Sequence, residues 1–312
     1  MELAQQRGLD VCPSLLTGWF LGNARPFFFD RQQQDQFYTS AALLAAVKLY
    51  FAETAQVLAG RPNFLGFDIG NEMNVCWSAH QRTAEGDAWL AKIMTHLDAL
   101  CPRQVHSVGV DHGPWFQCDT FSPQALTRLQ KIVPLHCYIK FTGALDRGSA
   151  MDPPSVKLIA GMAALARAYA NDPAKPIWVQ EFGASAEWID RKLIPRFMEQ
   201  TVQAAMGEGV SWFTWYSSHN TNRKFAGLGL DYDLGLLTGD YRLKDEAHTF
   251  QSLARQYRGQ PVVLKADKPL PPPPASRSSE STWKWLAEWI AGCDLWSLYQ
   301  NRRGHVTDSV RK

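Results

Sequence analysis

Short apolar runs of strand character alternate with helix-periodic segments along most of this 312-residue chain, and no other feature constrains its fold as much. The runs at 9–16, 64–74, 105–110, 132–138, 176–183 and 210–215 read as strands. The segments 41–58, 85–100, 123–130, 154–170, 193–206 and 244–257 read as helices. In the first of these, Leu43, Leu44, Val47, Tyr50 and Phe51 recur at three- and four-residue spacings, and Gly60 stops the pattern. Residues 1–7 read as the last turns of another helix, closed by Gly8. Strands separated by helices at this spacing pair in parallel and are covered by the helices. The count is six strand-helix units.

Where the polar residues fall decides between the two common parallel architectures. Asn71 and Glu72, Asp111 and His112, His136 and Tyr138, Glu181 and Trp215 all stand at C-terminal ends of predicted strands. A closed barrel builds its site from those ends on one face, whereas a doubly wound sheet would carry a Gly-rich phosphate turn, and no such motif is present. The expectation is an α/β protein of the (β/α)8 TIM-barrel type. Alternation along a strand then assigns faces. Gly66, Asp68, Gly70 and Glu72 share the inner one, with Leu65, Phe67 and Ile69 toward the helices. By the same alternation Ile177, Val179 and Glu181 face inward, as do Ser211, Phe213 and Trp215.

A chain that is 46% apolar buries a full core, and a net charge of +2 supplies no basic stripe for nucleic acid. The six cysteines form no CxxC pair and no ligand spacing with histidine, so neither a metal site nor a disulfide framework is expected, and no cofactor motif appears. No apolar run reaches the roughly 18–20 residues of a membrane span, and the N-terminus has no signal-peptide pattern. Residues 1–259 read as the catalytic domain and 260–282 as a Pro/Ser-rich linker. Residues 283–312 read as a Trp-rich helix and tail. Along 283–299, Trp285, Trp289, Cys293 and Trp296 at helical spacing mark a face that docks on the domain or meets a partner or membrane surface.

Glu72 and Glu181 end two strands facing inward, and paired carboxyls at a barrel mouth suit glycoside hydrolysis. One serves as protonated acid, the other as nucleophile or base; apolar walls hold the first protonated and hydrogen-bond donors hold the second ionised. Asn71 is placed to anchor a sugar hydroxyl near the reacting carbon. Trp19, Trp77, Trp115, Asp111 and His112 fall on the same predicted face and suit outer subsites.

Asn71-Glu72, His136-Cys137-Tyr138, Glu181-Phe182-Gly183 and Trp215 stand in the order found in glycoside hydrolase clan A, and the chain most resembles family 5, the cellulases and β-mannanases. Gly235-Leu236-Leu237 followed by Lys244 resembles the segment after that family's eighth strand. The resemblance covers residues 8–257 and implies a retaining mechanism on a β-linked glucan or mannan. It makes Glu72 the acid/base and Glu181 the nucleophile, roughly 5 Å apart. Asn71 would bind the sugar 2-hydroxyl, Tyr138 the nucleophile, and His136 would line the pocket. Trp215 would be the platform beneath the sugar. The family's first two strands, with an Arg that stands beside the nucleophile, have no counterpart, so the barrel is expected to lack its first two β/α units and the sequence to be truncated. From another class of function, a catalytically silent carbohydrate-binding or scaffold protein fits the same absence. A carboxylate metal hydrolase would need His/Asp clusters that the sequence lacks.

Overall fold

The structure, a computed structural model, describes residues 1–18, 31–77, 82–224, 232–263 and 270–307, with backbone only at 31, 77 and 294–307. Helix α1 (Glu2–Gln6) ends where Gly8 turns left-handed at φ +64°. Strand β1 (Ser14–Thr17) is followed by α2 (Arg31–Asp35) and α3 (Ala41–Leu58). The Ser40 side chain accepts from the Leu43 N–H at the start of α3, and Val47, Phe51 and Ala55 bury one face of that helix. By length and composition alone α3 reaches the threshold for crossing a membrane, which the sequence reading did not expect. In the folded chain it lies on the body, with Phe51 edge-on to Phe67 at 5.5 Å.

Strand β2 (Asp68–Asn71) runs parallel to β1, pairing Ser14 with Asp68, Leu16 with Gly70 and Thr17 with Asn71. Gly70 permits that approach, since a Cβ there would stand 2.7 Å from the Leu16 Cβ. Asp68 is turned inward and Phe67 and Ile69 are buried toward the helices, as alternation predicts. Helix α4 (Thr83–Leu100) then leads to 105–110, expected as a regular strand. That segment does run parallel beside β2, since Val105 N donates to Leu65 O at 2.8 Å and Ser107 N to Phe67 O at 2.9 Å. Only the Asp68–Ser107 bridge is regular, however. Side chains take two further donors: Val108 N donates to Gln130 Oε1 at 2.8 Å and Gly109 N to Asp68 Oδ1 at 2.9 Å. The parallel sheet is therefore divided into two parts at this point.

The second part follows α5 (Gly113–Phe116) and α6 (Pro123–Leu129). It comprises β3 (Val133–Cys137), β4 (Ile177–Phe182) and β5 (Trp212–Trp215), all parallel. The expected helix at 154–170 divides at Lys157 into α7 (Pro153–Val156) and α8 (Leu158–Ala170). Helix α8 packs against α6, β3 and α9 (Ile194–Gly207). The buried Arg167 closes its C-terminal end on the carbonyls of Lys175, at 3.1 Å, and Gly209, at 2.9 Å. After β5, buried Lys244 gathers the returning chain, donating to Gly235 O at 2.7 Å and pairing with Glu246 at 2.6 Å at the start of α10 (Asp245–Tyr257).

Helix α11 begins at Ser279, inside the segment expected as linker, and extends to Thr307. Its opening turns lie against the preceding chain. Trp283 Nε1 donates to Thr142 O and Trp285 Nε1 to Pro272 O, each at 2.8 Å. Leu286 lies against Gly161 of α8, where a Cβ would come within 2.8 Å of the leucine Cδ2. The side chains beyond 293 lie outside the described residues.

Candidate active site

A break in strand alternation places the second carboxylate. Val133 and Leu135 are fully buried toward the helices, and their partners Ile177 and Val179 share that face. This reverses the inward assignment of Ile177 and Val179. A bulge between Leu135 and His136 then shifts the register, so that His136 pairs with Glu181. Both Gln180 and Glu181 turn toward that histidine: Gln180 Oε1 is 3.1 Å from His136 Nε2, and Glu181 Oε2 is 3.6 Å from His136 Nδ1. Glu181 reaches the interior through the bulge, and Gln180, which the sequence reading passed over, reaches it too.

Glu72 arrives by a different device. Strand β2 ends at Asn71, and Glu72 adopts a left-handed backbone at φ 48°, which a non-glycine residue seldom takes. Gly18, at the end of β1, lies so close that a Cβ would collide with the Glu72 carbonyl. The turn presents Glu72 Oε1 to His136 Nδ1 at 3.1 Å. One ligand atom each from Glu72, His136 and Glu181 lie within 4.8 Å of one another, the one group of metal-capable geometry among the described residues. Tyr138 donates its hydroxyl proton to Glu181 Oε2 at 2.8 Å.

The two carboxyls have different surroundings. Burial pushes Glu72 up to about 7, with hydrogen bonding and charge from His136 opposing the rise and Glu181 and Asp111 adding to it. Glu181 accepts from the Tyr138 hydroxyl, and the His136 ring stands 3.6 Å away, beyond hydrogen-bond distance. Burial also drives the Tyr138 phenol well above its ordinary value, with the Glu181 charge in the same direction, so it is a proton donor to that carboxylate.

The remaining expected residues divide. Asn71 ends β2 beside Glu72, with its carbonyl accepting from Gly18 N at 2.7 Å. Asp111 stands near Glu72, but its carboxylate is tied to Gly113 N at 2.6 Å and Asn74 Nδ2 at 2.7 Å, and His112 lies beside it. Trp115 is fully buried beneath α11 and is a core residue, not an outer subsite. Trp19 lies outside the described residues, and of Trp77 only the backbone is described, at the end of a short 3-10 turn. Trp215 is only 5% exposed, edge-on to Phe182 at 5.0 Å, with its indole N–H donated to Leu234 O. It pairs with Phe182 on the helix side of β5, which corrects its placement as an open platform. The next residue, Tyr216, stands on the site side, its ring 6.5 Å from and perpendicular to that of Tyr138. Trp188, at 6.0 Å, and Phe141, at 5.5 Å, complete an aromatic wall around Tyr138. Loop residues of this kind leave no periodic signal, but Tyr216 follows directly from reading β5 one residue out of phase.

Parallel strands in an α/β fold, with an Asn-Glu strand end and a second Glu beside a His-x-Tyr pair, define a chain related to the glycoside hydrolases of clan A, family 5. Among solved structures, it is similar to a GH5_18 variant from Streptomyces cattleya in complex with Manβ1-4GlcNAc, with 26% identity over 87% of this chain and 66% of that one and a TM-score of 0.75. A GH5_18 from Bifidobacterium longum subsp. longum ATCC 55813 shares 24% identity over 93% of this chain and 74% of the other, with a TM-score of 0.78. The exo-β-1,4-mannosidase Op5Man5 from Opitutaceae bacterium strain TAV5 shares the fold at 18% identity and a TM-score of 0.68, over 82% of this chain and 47% of that one. This chain spans about two thirds of the length of the first of these, 66%. No protein-family profile and no curated protein sequence matches it.

Proposed function

We propose that this chain is a retaining β-glycosidase in which Glu181 attacks the anomeric carbon and Glu72 is acid and then base. The separation of the carboxyls carries the reading: with their facing oxygens within 4.8 Å, the gap is too narrow for the intervening water that inversion requires. Glu72, raised to about 7, holds a proton for the leaving oxygen. Once the glycosyl-enzyme has formed, the same group, now ionised, takes a proton from the incoming water. Tyr138 orients Glu181 and releases it as its negative charge passes to the glycosidic bond. Asn71 is the group for the sugar 2-hydroxyl, Tyr216 with Trp188 the wall against the ring, and Asp111 and His112 the polar rim.

In this reading the six strand segments are barrel strands; among the described residues, the outer edges of β1 and β5 have no strand partner. Both the Streptomyces and Bifidobacterium relatives have structures in complex with Manβ1-4GlcNAc, which makes β-mannosides the leading substrate class ahead of β-glucosides. Assay of the purified chain against aryl β-mannoside, aryl β-glucoside and Manβ1-4GlcNAc is expected to show hydrolysis, fastest with the mannosides. Saccharide binding without turnover of any of the three would instead establish a silent carbohydrate-binding protein.

A further inference from the structure

Helix α11 supplies no group to the glycosidase chemistry, yet its opening turns are joined to Glu181 through two residues. Trp283 is 5% exposed, and its Nε1 donates to Thr142 O at 2.8 Å. Thr142, 4% exposed, turns back on the end of β3: its N–H and its hydroxyl both donate to Tyr138 O, at 3.1 and 2.9 Å. Tyr138 in turn donates its hydroxyl to Glu181 Oε2 at 2.8 Å. The Trp283 ring also meets the other side of the site. Phe116 of α5 lies 5.8 Å from it and 5.9 Å from His112, and the neighbouring Thr282 hydroxyl donates to Trp115 O at 3.0 Å. Arg147 lies over the same indole at 4.4 Å while donating to Gly143 O at 2.8 Å. Trp283 therefore stands between the loop after β3 and α5, which follows Asp111 and His112.

We infer that Trp283 is a positioning residue for the nucleophile, acting through Thr142 and Tyr138, so that α11 braces the site from outside the parallel sheet. The loop it holds has no ladder of its own. Beyond Cys137 the chain leaves β3, turns left-handed at Gly143 with φ +79°, and makes only a short 3-10 turn at Ala144–Asp146. The place of the Tyr138 ring then depends on how this loop is fixed, since its neighbour Phe141 belongs to the loop as well. Packing alone would need only the indole ring. The bonded N–H adds direction, because a buried carbonyl stripped of its donor is costly and the Thr142 peptide would turn to find another. The inference rests on the glycosidase reading for its effect on turnover, whereas the link from Trp283 to Tyr138 is measurable without turnover.

The test is a double-mutant cycle of Trp283→Phe and Tyr138→Phe in the full chain, read on an aryl β-mannoside. Phenylalanine keeps a ring against Phe116 and Arg147 and removes the N–H. Trp283→Phe alone is expected to lower kcat by about 5- to 50-fold with KM within about twofold, because Tyr138 acts on the charge that Glu181 gives up and not on the bound sugar. In Tyr138→Phe the path has already lost its last bond, so adding Trp283→Phe should cost less than about twofold. Amide hydrogen exchange reads the link directly: in Trp283→Phe the segment 138–147 should exchange at least about fivefold faster, with β4 unchanged. Wild-type kcat in Trp283→Phe, a loss confined to KM, or losses that multiply in the double variant overturn the inference. So does unaltered exchange at 138–147, or acceleration spread evenly along the chain, which would make Trp283 a residue of global stability alone. If Trp283→Phe does not fold, Thr142→Val, which removes one of the two donors to Tyr138 O, takes its place in both measurements. Faster exchange at 138–147 in a protein that turns over no glycoside supports the link to Tyr138 and counts against the glycosidase; unaltered exchange in a protein that hydrolyses the mannoside does the reverse.

Discussion

Replacement of Glu181 by alanine is expected to reduce kcat on an aryl β-mannoside by about 10^3-fold or more, the order of loss seen when a covalent nucleophile is removed. Glu181 is the carboxylate that accepts from the Tyr138 hydroxyl at 2.8 Å, whereas Glu72 is the one within hydrogen-bond distance of His136. The truncated side chain leaves a space beside the Tyr138 hydroxyl, so added azide should enter it and restore turnover. The product in that case is the α-glycosyl azide, since a single displacement inverts the anomeric centre. Unchanged turnover in Glu181→Ala would remove the nucleophile assignment, and azide rescue giving a β-azide would place the attacking group on the other face of the sugar.

The second large effect belongs to Glu72. In Glu72→Gln the loss should depend on the leaving group, about 10^2 to 10^4-fold for a sugar aglycone that needs its oxygen protonated. A nitrophenolate needs no such help, so its departure should be spared and the slower hydrolysis of the glycosyl-enzyme should appear as a burst. The pH profile supplies the sign. As an acid, Glu72 must be protonated, and burial raises it to about 7, so kcat/KM should fall as pH rises through that value. The Gln variant has no such group, and its profile should lose this alkaline limb. An alkaline limb that survives in Glu72→Gln would assign the titration to another residue.

Much of this geometry is legible in the sequence because local pattern and final packing agree. The helix read at 41–58 is α3 residue for residue, since its serine cap and its buried Val47, Phe51 and Ala55 are local features. Asp68, Ile69 and Phe67 take the faces that alternation assigns them. The failures have one physical origin, the loss of regular alternation where strands reach the site. Register shifts lie between Leu135 and His136 and between Val179 and Phe182. They bring Glu181 inside while sending Ile177 and Val179 to the helices, and they bury Trp215 while Tyr216 takes the site side. The irregularity at 105–110 is tertiary as well, because Gln130 and Asp68 side chains take donors that a ladder would use. The importance of Gln180 depends on a histidine 44 residues away, a relation that periodicity does not carry.

Stereochemistry tests the central claim most directly, since it reports the spacing of Glu72 and Glu181 in chemical terms. Hydrolysis of an aryl β-mannoside, followed by 1H NMR from the first minutes, should release the β-anomer first, with the α-anomer appearing only as mutarotation proceeds. Initial release of the α-anomer would mean that water attacks directly across a wider gap, and would contradict the double displacement through Glu181.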